Sequence, residues 1–262
     1  MAERTAFTGR LPTVRLTSEI ALAGGGLFGF DLTSPADCHV YVIDGGDELA
    51  LVDAGAGGVI GDSDLIVETI KRDGYDPAHI AKLFLTHYHF DHAGGAAELR
   101  QRLGCEVLGS PLTARTLDAA DEEQISLPGA RAAGYVPDDY HLQSCPVWPS
   151  LVEGAEIRVG KLTVKVVETP GHCDGHVSLL VSGGDRVALI QGDVVFHGGL
   201  IFLQNIPDCS IQRYAESVRK LDALDFEAFL PGHLSISLRN GKRHVSAAAA
   251  QFAKLAVPKN IV

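Results

Sequence analysis

Thr86-His87-Tyr88-His89-Phe90-Asp91-His92-Ala93-Gly94-Gly95 places three imidazoles and a carboxylate within six residues. Crowded imidazoles resist protonation and a partly buried carboxylate loses hydration, so such a group is costly unless a cation joins it. His87 and His89, at i and i+2 of an extended turn, can aim at one ion, while Asp91 and His92 point to the other side of the loop. That spacing suggests two ions. Histidine and aspartate donors accept zinc first among the expectations here, with iron, manganese or cobalt as alternatives.

The elements that must position this loop are legible around it. Residues 82–86 form an apolar run that reads as a strand, and Gly94 and Gly95 turn into a helix over 94–103. Four more apolar runs stop at a histidine or aspartate: Leu51-Val52-Asp53, Thr169-Pro170-Gly171-His172, Gln191-Gly192-Asp193 and Leu230-Pro231-Gly232-His233. In sheets with helical connections, groups at corresponding strand ends meet along one edge. Sorted by chemistry, His87, His89 and His172 form one ion site, Asp91, His92 and His233 the other, and Asp193 bridges them. A shared carboxylate offsets the repulsion of two dications roughly 3.5–4 Å apart, and bound metal lowers a water's pKa from about 15.7 to about 7. At about 1.36 kcal/mol per unit, that is on the order of 12 kcal/mol towards a nucleophile at neutral pH.

The remaining pattern predicts strands at 14–23, 38–43, 48–52, 105–109, 156–159, 162–168, 177–181, 187–190 and 226–230, with helices at 62–73, 211–224 and 242–256. The three glycines at 24–26 predict a flexible turn over 22–29, and no phosphate loop, since no Lys-Ser/Thr follows. Residues 111–150 read as a polar, irregular excursion; segments of that kind are more often lids or binding segments than padding. The expectation is one domain over 1–262, with 111–150 contributing part of the substrate pocket.

Composition narrows the function. A net charge of −11 and a pI near 5.4 argue against a phosphate-backbone binder, so nucleic acid is not expected as a partner. The first ten residues carry charges with no apolar run behind them, and no later apolar stretch reaches 18 residues, so neither a signal peptide nor a membrane span is expected. Five scattered cysteines without a C-x-x-C pair predict reduced thiols and a cytoplasmic setting. The expected partner is a small-molecule substrate, with a homo-oligomer left open.

On His87-x-His89-x-Asp91-His92, His172, Asp193 and His233, with Asp53 ending the early hairpin, the chain resembles the metallo-β-lactamase superfamily from about 38 to 235. The resemblance implies an α/β fold, the four-layer αβ/βα sandwich, with metal along one sheet edge. It implies a dinuclear hydrolase of an ester, lactone or thioester that uses a metal-bridging hydroxide, with Asp91 orienting that hydroxide or passing its proton on. The alternatives are a phosphodiesterase or a mononuclear-iron sulfur dioxygenase. Within the superfamily, the commonest dizinc β-lactamases carry Cys where Asp193 stands, which argues against antibiotic hydrolysis. Flavodiiron proteins have Glu in place of His89. Glyoxalase II shares every ligand position and Gly192-Asp193-x-x-Phe196, but its C-terminal glutathione domain is not seen in this sequence. Acyl-homoserine lactonases place Tyr where this chain has Phe196, and RNase Z-like nucleases carry an RNA-binding arm that is missing here.

Other polar residues have lesser expected parts. Asp53 is either a helix cap or the partner that orients a metal-bound histidine. His176 is expected to support the His172 loop, and His197, beside Gly198-Gly199, is a candidate to face the substrate oxygen. His79, His141 and His244 are expected on the surface and His39 in the core. Cys173 reads as a packed neutral thiol, and Trp148 as a lid anchor or a pocket wall.

Overall fold

In the computed structural model, β-branched and aliphatic runs pair into two mixed sheets, and residues 14–261 are described. The expectation for the first ten residues lies outside them. The first sheet runs in the order β1 (Val14–Arg15), β2 (Ile20–Gly24), β3 (Val40–Asp44), β4 (Leu49–Val52), β5 (Ile80–Phe84) and β6 (Glu106–Leu108). The first four strands pair antiparallel; β4–β5 and β5–β6 are parallel. The second sheet holds β7 (Glu156–Val159), β8 (Leu162–Glu168), β9 (Val177–Ser182), β10 (Ala188–Ile190) and β11 (Ala228–Leu230), with only β10–β11 parallel.

Strand alternation divides the apolar residues between three cores. Tyr41, Ile43, Val52 and Phe84 face Val164, Val166, Leu179 and Ile190 between the sheets. Val40, Val42 and Leu51 face outward, where Ile66 and Ile70 of α1 (Ser63–Arg72) and Leu99 of α3 (Ala96–Leu103) cover them. On the far side, Leu189 and Phe229 lie under Tyr214, Val218 and Leu221 of α6 (Ile211–Asp222) and Val245 and Ala248 of α7 (Lys242–Ala253). The layers are therefore αβ/βα, as the resemblance implied. The one-turn helix α2 (Phe90–Ala93) leads into α3.

Three expectations needed correction. The run 14–23 is two strands, because Thr17 Oγ1 accepts from the amides of Glu19 and Ile20 at 3.1 and 3.0 Å and turns the chain. The glycine stretch is a packed turn instead of a flexible one: a Cβ on Gly25 or Gly29 would come within 2.9 or 2.6 Å of the His39 ring. Residues 111–150 are irregular only in part, over 120–126 and 133–150. They form α4 (Pro111–Ala119) and α5 (Leu127–Ala132) and bury Leu117, Ile125, Leu127, Val136, Tyr140 and Leu142 in the first sheet's outer core. All five cysteines are free, and among the described residues no helix is long and apolar enough to cross a membrane.

Candidate metal centre

Five strand ends meet at one edge. After β4 the chain turns at Asp53, whose φ is +63°; after β5 come Thr86, His87 and His89, and α2 adds Asp91 and His92. The turns after β8, β10 and β11 bring His172, Asp193 and His233. Gly232 is required here, because a Cβ would run into Asp193 Oδ1 and the His92 ring.

The donor atoms of His87, His89 and His172 lie within 4.8 Å of one another, and so do those of Asp91, His92 and His233. Asp193 sits between the sets: Oδ1 is 3.5 Å from His92 Nε2, and Oδ2 is 3.7 Å from His172 Nε2 and 3.5 Å from His233 Nε2. All these side chains are buried except Asp91, whose side chain is 21% exposed.

Hydrogen-bond logic tests whether the first set fits a cation. Thr86 Oγ1 donates to Asp53 Oδ2 at 2.9 Å, so it can accept from His87 Nδ1 at 3.0 Å, which leaves His87 Nε2 a bare lone pair. His172 Nδ1 faces the Phe202 carbonyl at 3.2 Å and must donate to it, so its Nε2 is bare too. Both lone pairs point at His89 Nδ1, at 3.1 and 3.0 Å, where a single proton can serve only one of them. Burial, then the neighbouring imidazoles, pushes His87 well below the usual imidazole range and His89 to about 3. A cation resolves this convergence.

The second set asks for positive charge. Burial alone would raise Asp193, but His233 and His92 hold it well below the carboxylate range, and against burial His92 and His233 hold Asp91 down to about 2. In return, and again against burial, Asp193 and Asp91 raise His233. His233 Nε2 lies 3.0 Å from Asp91 Oδ2 and 3.3 Å from His92 Nε2. Asp193 Oδ1 and His233 Nδ1 are buried with no hydrogen-bond partner. Protons or a metal must supply the charge, and the donors present fit a divalent ion.

Surrounding residues fix these groups. Asp53 caps no helix, since α1 is capped by Asp62; its carboxylate accepts from His92 Nδ1 at 2.8 Å and from the Thr86 amide at 2.8 Å. It is therefore the partner that orients His92. His176 accepts from the Asp193 amide at 3.2 Å, beneath His87. His197 is not brought to the cluster: it is exposed and its ring lies tilted against that of His244 of α7, 4.3 Å between centroids, where Gly198 and Gly199, both at φ +83°, turn the chain outward. His244 is the reverse error, buried with Nδ1 accepting from the Gly198 amide and Nε2 2.8 Å from Ser237 Oγ. His39 is buried as expected, while the Trp148 side chain is largely exposed and its backbone pairs with β6.

Three partners, Tyr41, Tyr214 and Asp208, went unnoticed in the sequence. Tyr41 and His39 both reach the Pro231 carbonyl, at 2.6 and 2.9 Å, and the His39 amide donates to Gly232 O, which clamps the turn that carries His233. Tyr214 donates to the Asp193 carbonyl at 2.9 Å. Asp208 accepts from Tyr88 and from the Asp174 amide, tying the His89 loop to the His172 loop. Their only signal was tyrosine or aspartate in otherwise ordinary contexts.

The metallo-beta-lactamase superfamily model matches residues 33–233. A hydroxyacylglutathione hydrolase of Bradyrhizobium sp. (strain ORS 278) is 30% identical over 156 residues, covering 55% of this chain and 49% of that protein. The probable metallo-hydrolase YqgX of Bacillus subtilis (strain 168) is 31% identical over 168 residues, covering 63% of this chain and 70% of that one. The chain spans about half the length of the hydroxyacylglutathione hydrolases it matches. Among solved structures, a B3 metallo-beta-lactamase with an active site glutamic acid superposes with a TM-score of 0.70 at 20% identity, over 94% of this chain and 90% of the other. A HARLDQ-motif metallo-beta-lactamase of Cronobacter sakazakii gives 0.71 at 19% identity, over 95% and 96%. At such identities the likeness is one of fold.

Proposed function

The chain belongs to the metallo-beta-lactamase superfamily, and from that premise we propose that it is a dinuclear metal hydrolase of a carbonyl substrate: an ester, a lactone or a thioester. The observation that carries this reading is the pair of three-donor sets with Asp193 between them. Two imidazole-rich sets that share a carboxylate suit two divalent ions on one water, and zinc suits the donors. The thioester gains support from the relatives named hydroxyacylglutathione hydrolase. In this reading a small molecule is the partner, and the free cysteines fit a cytoplasmic setting.

His87, His89 and His172 would hold one ion and Asp91, His92 and His233 the other. Bound there, the ions would polarise the substrate carbonyl and bring a water's pKa from about 15.7 towards about 7. The protein's own groups do the positioning. Asp53 and Thr86 orient the imidazoles of His92 and His87, while His176 and Tyr214 fix the Asp193 backbone on both sides. Asp91, the most open of the donors, faces the entrance, where it orients the attacking water and takes its proton. Water adds to the acyl carbon, the C–S or C–O bond breaks, and the leaving thiolate or alkoxide takes up the proton.

Elemental analysis of the purified protein, run beside a panel of a lactone, an aryl ester, a thioester and a phosphodiester, tests this. The expected result is two metals per chain with carbonyl substrates turned over. His87→Ala and Asp193→Asn should each lose metal and orders of magnitude of turnover. One iron per chain with oxygen uptake, or either variant keeping full metal and full activity, sinks the proposal.

A further inference from the structure

Residues 202–210, between β10 and α6, lie outside the sheets and helices, yet one of their backbone atoms orients an imidazole of the first donor set. The Phe202 carbonyl accepts from His172 Nδ1 at 3.2 Å and lies 3.1 Å from the Tyr214 hydroxyl, which itself donates to the Asp193 carbonyl. The Phe202 ring packs on the His172 ring, 5.6 Å between centroids. A single peptide group therefore sets both the rotation and the tautomer of His172. Whatever holds that peptide decides how well the donor set is aligned.

The chain just before it is fixed by α7: the Gly198 amide donates to His244, and a Cβ on Gly199 would come within 2.9 Å of Ala247 and of the Ala248 nitrogen. From Ile201 onward the support passes to residues 259–261. The Ile201 amide donates to the Lys259 carbonyl at 3.1 Å and the Ile261 amide donates to the Ile201 carbonyl at 3.0 Å, which makes one parallel bridge. The next contact on that side comes from a side chain. The Leu203 amide donates to Asn260 Oδ1 at 2.9 Å, and Asn260 Nδ2 donates to the Leu203 carbonyl at 3.1 Å. A carboxamide offers both an acceptor and donors, so it satisfies both backbone groups of one residue as a strand neighbour would. In an extended chain, successive peptide groups point to opposite sides. Pinning Ile201 and Leu203 towards 259–261 thus turns the Phe202 carbonyl the other way, onto His172. The Gln204 amide then meets the Cys209 sulfur at 3.4 Å, a weak acceptor, so Asn260 is the last firm hold on this stretch.

We propose that Asn260 is a positioning residue of the metal centre: by pinning Leu203 it holds the Phe202 carbonyl on His172 Nδ1 and so presents a bare His172 Nε2 to the ion. Without that hold the ring can turn and its proton can move to Nε2, where it blocks a cation. The inference rests on the metal-centre reading above and extends it to a residue outside the donor set.

The test sets Asn260→Ala and Asn260→Asp beside the unmodified protein. Alanine removes both bonds to Leu203, while aspartate keeps the acceptor and sets a carboxylate oxygen against the Leu203 carbonyl. Zinc affinity, measured by competition with a chelator well below the thermal midpoint of every form, should fall about tenfold in each variant. The visible absorption bands of the cobalt-loaded protein should shift as well. In the metal-free proteins, nitrogen NMR of the imidazoles should place the His172 proton on Nδ1 in the unmodified chain and divide it between the two nitrogens in the variants. A merely structural role lowers the midpoint and leaves affinity, cobalt bands and tautomer unchanged; that result overturns the inference. If the unmodified protein binds neither zinc nor cobalt, the metal-centre reading fails, and the tautomer alone decides the inference: a divided proton in the variants supports it, a fixed one refutes it. Should Asn260→Ala not fold, the same readings on Asn260→Asp decide.

Discussion

The centre and the loop at its mouth are built on opposite terms. Several polar groups of the centre are held by residues of other elements: His92 by Asp53 of the β4 turn, Asp193 by His176 and Tyr214, His233 through the clamp of His39 and Tyr41 on Pro231. The loop over 24–35 is held through its backbone, and the side chains at its tip, Leu27 and Phe28, stand in water beside His233. Groups that must meet ions within tenths of an ångström need hydrogen bonds that fix both position and tautomer.

The sharpest way to break this contrast is Asp53→Ala, which strips His92 Nδ1 and the Thr86 amide of their acceptor. Metal affinity should fall about 10- to 100-fold, measured by competition with a chelator, while the fold, read by circular dichroism, is kept. Unchanged metal affinity would show that Asp53 does not position His92.

A second comparison sets the imidazoles of the centre beside His244, which is buried away from it. Burial, then His197, lowers His244 to about 4. With the folded value below the unfolded one of about 6.5, the unfolded chain binds more protons, so stability should be fully present above about pH 6.5 and decline as pH falls towards 4. The decline is at most about 1.36 kcal/mol per pH unit. Urea unfolding at pH 7, 6 and 5 should show a shallower slope in His244→Gln; an unchanged slope would mean that His244 carries none of it.

The smallest expected effect is Tyr41→Phe, because His39 still donates to the Pro231 carbonyl. It should cost about 0.5–1.5 kcal/mol of stability, read from the denaturation midpoint, and weaken metal binding a few-fold through the loosened His233 turn. An effect as large as that of Asp53→Ala would place the main support of the centre in the clamp.

Much of this was legible in the sequence. His87, His89, Asp91 and His92 are neighbours in the chain, and apolar runs that stop at His172, Asp193 and His233 announce strand ends, which a sheet brings to one edge whatever its details. The layers followed from the resemblance carried by the same motif residues. The run 14–23 and residues 111–150 were misread because one buried hydroxyl turns a strand, and because the apolar residues of 111–150 are scattered among charged ones.

What the sequence by itself determined is therefore the local chemistry: which side chains donate, in what order, and at which strand ends. Tertiary structure decided everything that depends on partners distant in the chain. Tyr41 meets Pro231 across 190 residues and Asp53 meets His92 across 39, while His197 is turned away although it lies only four residues from Asp193. Local spacing sets which atoms an element offers. Which way they face, and whether a histidine ends bare, bonded or turned outside, is settled only when the two sheets close on each other.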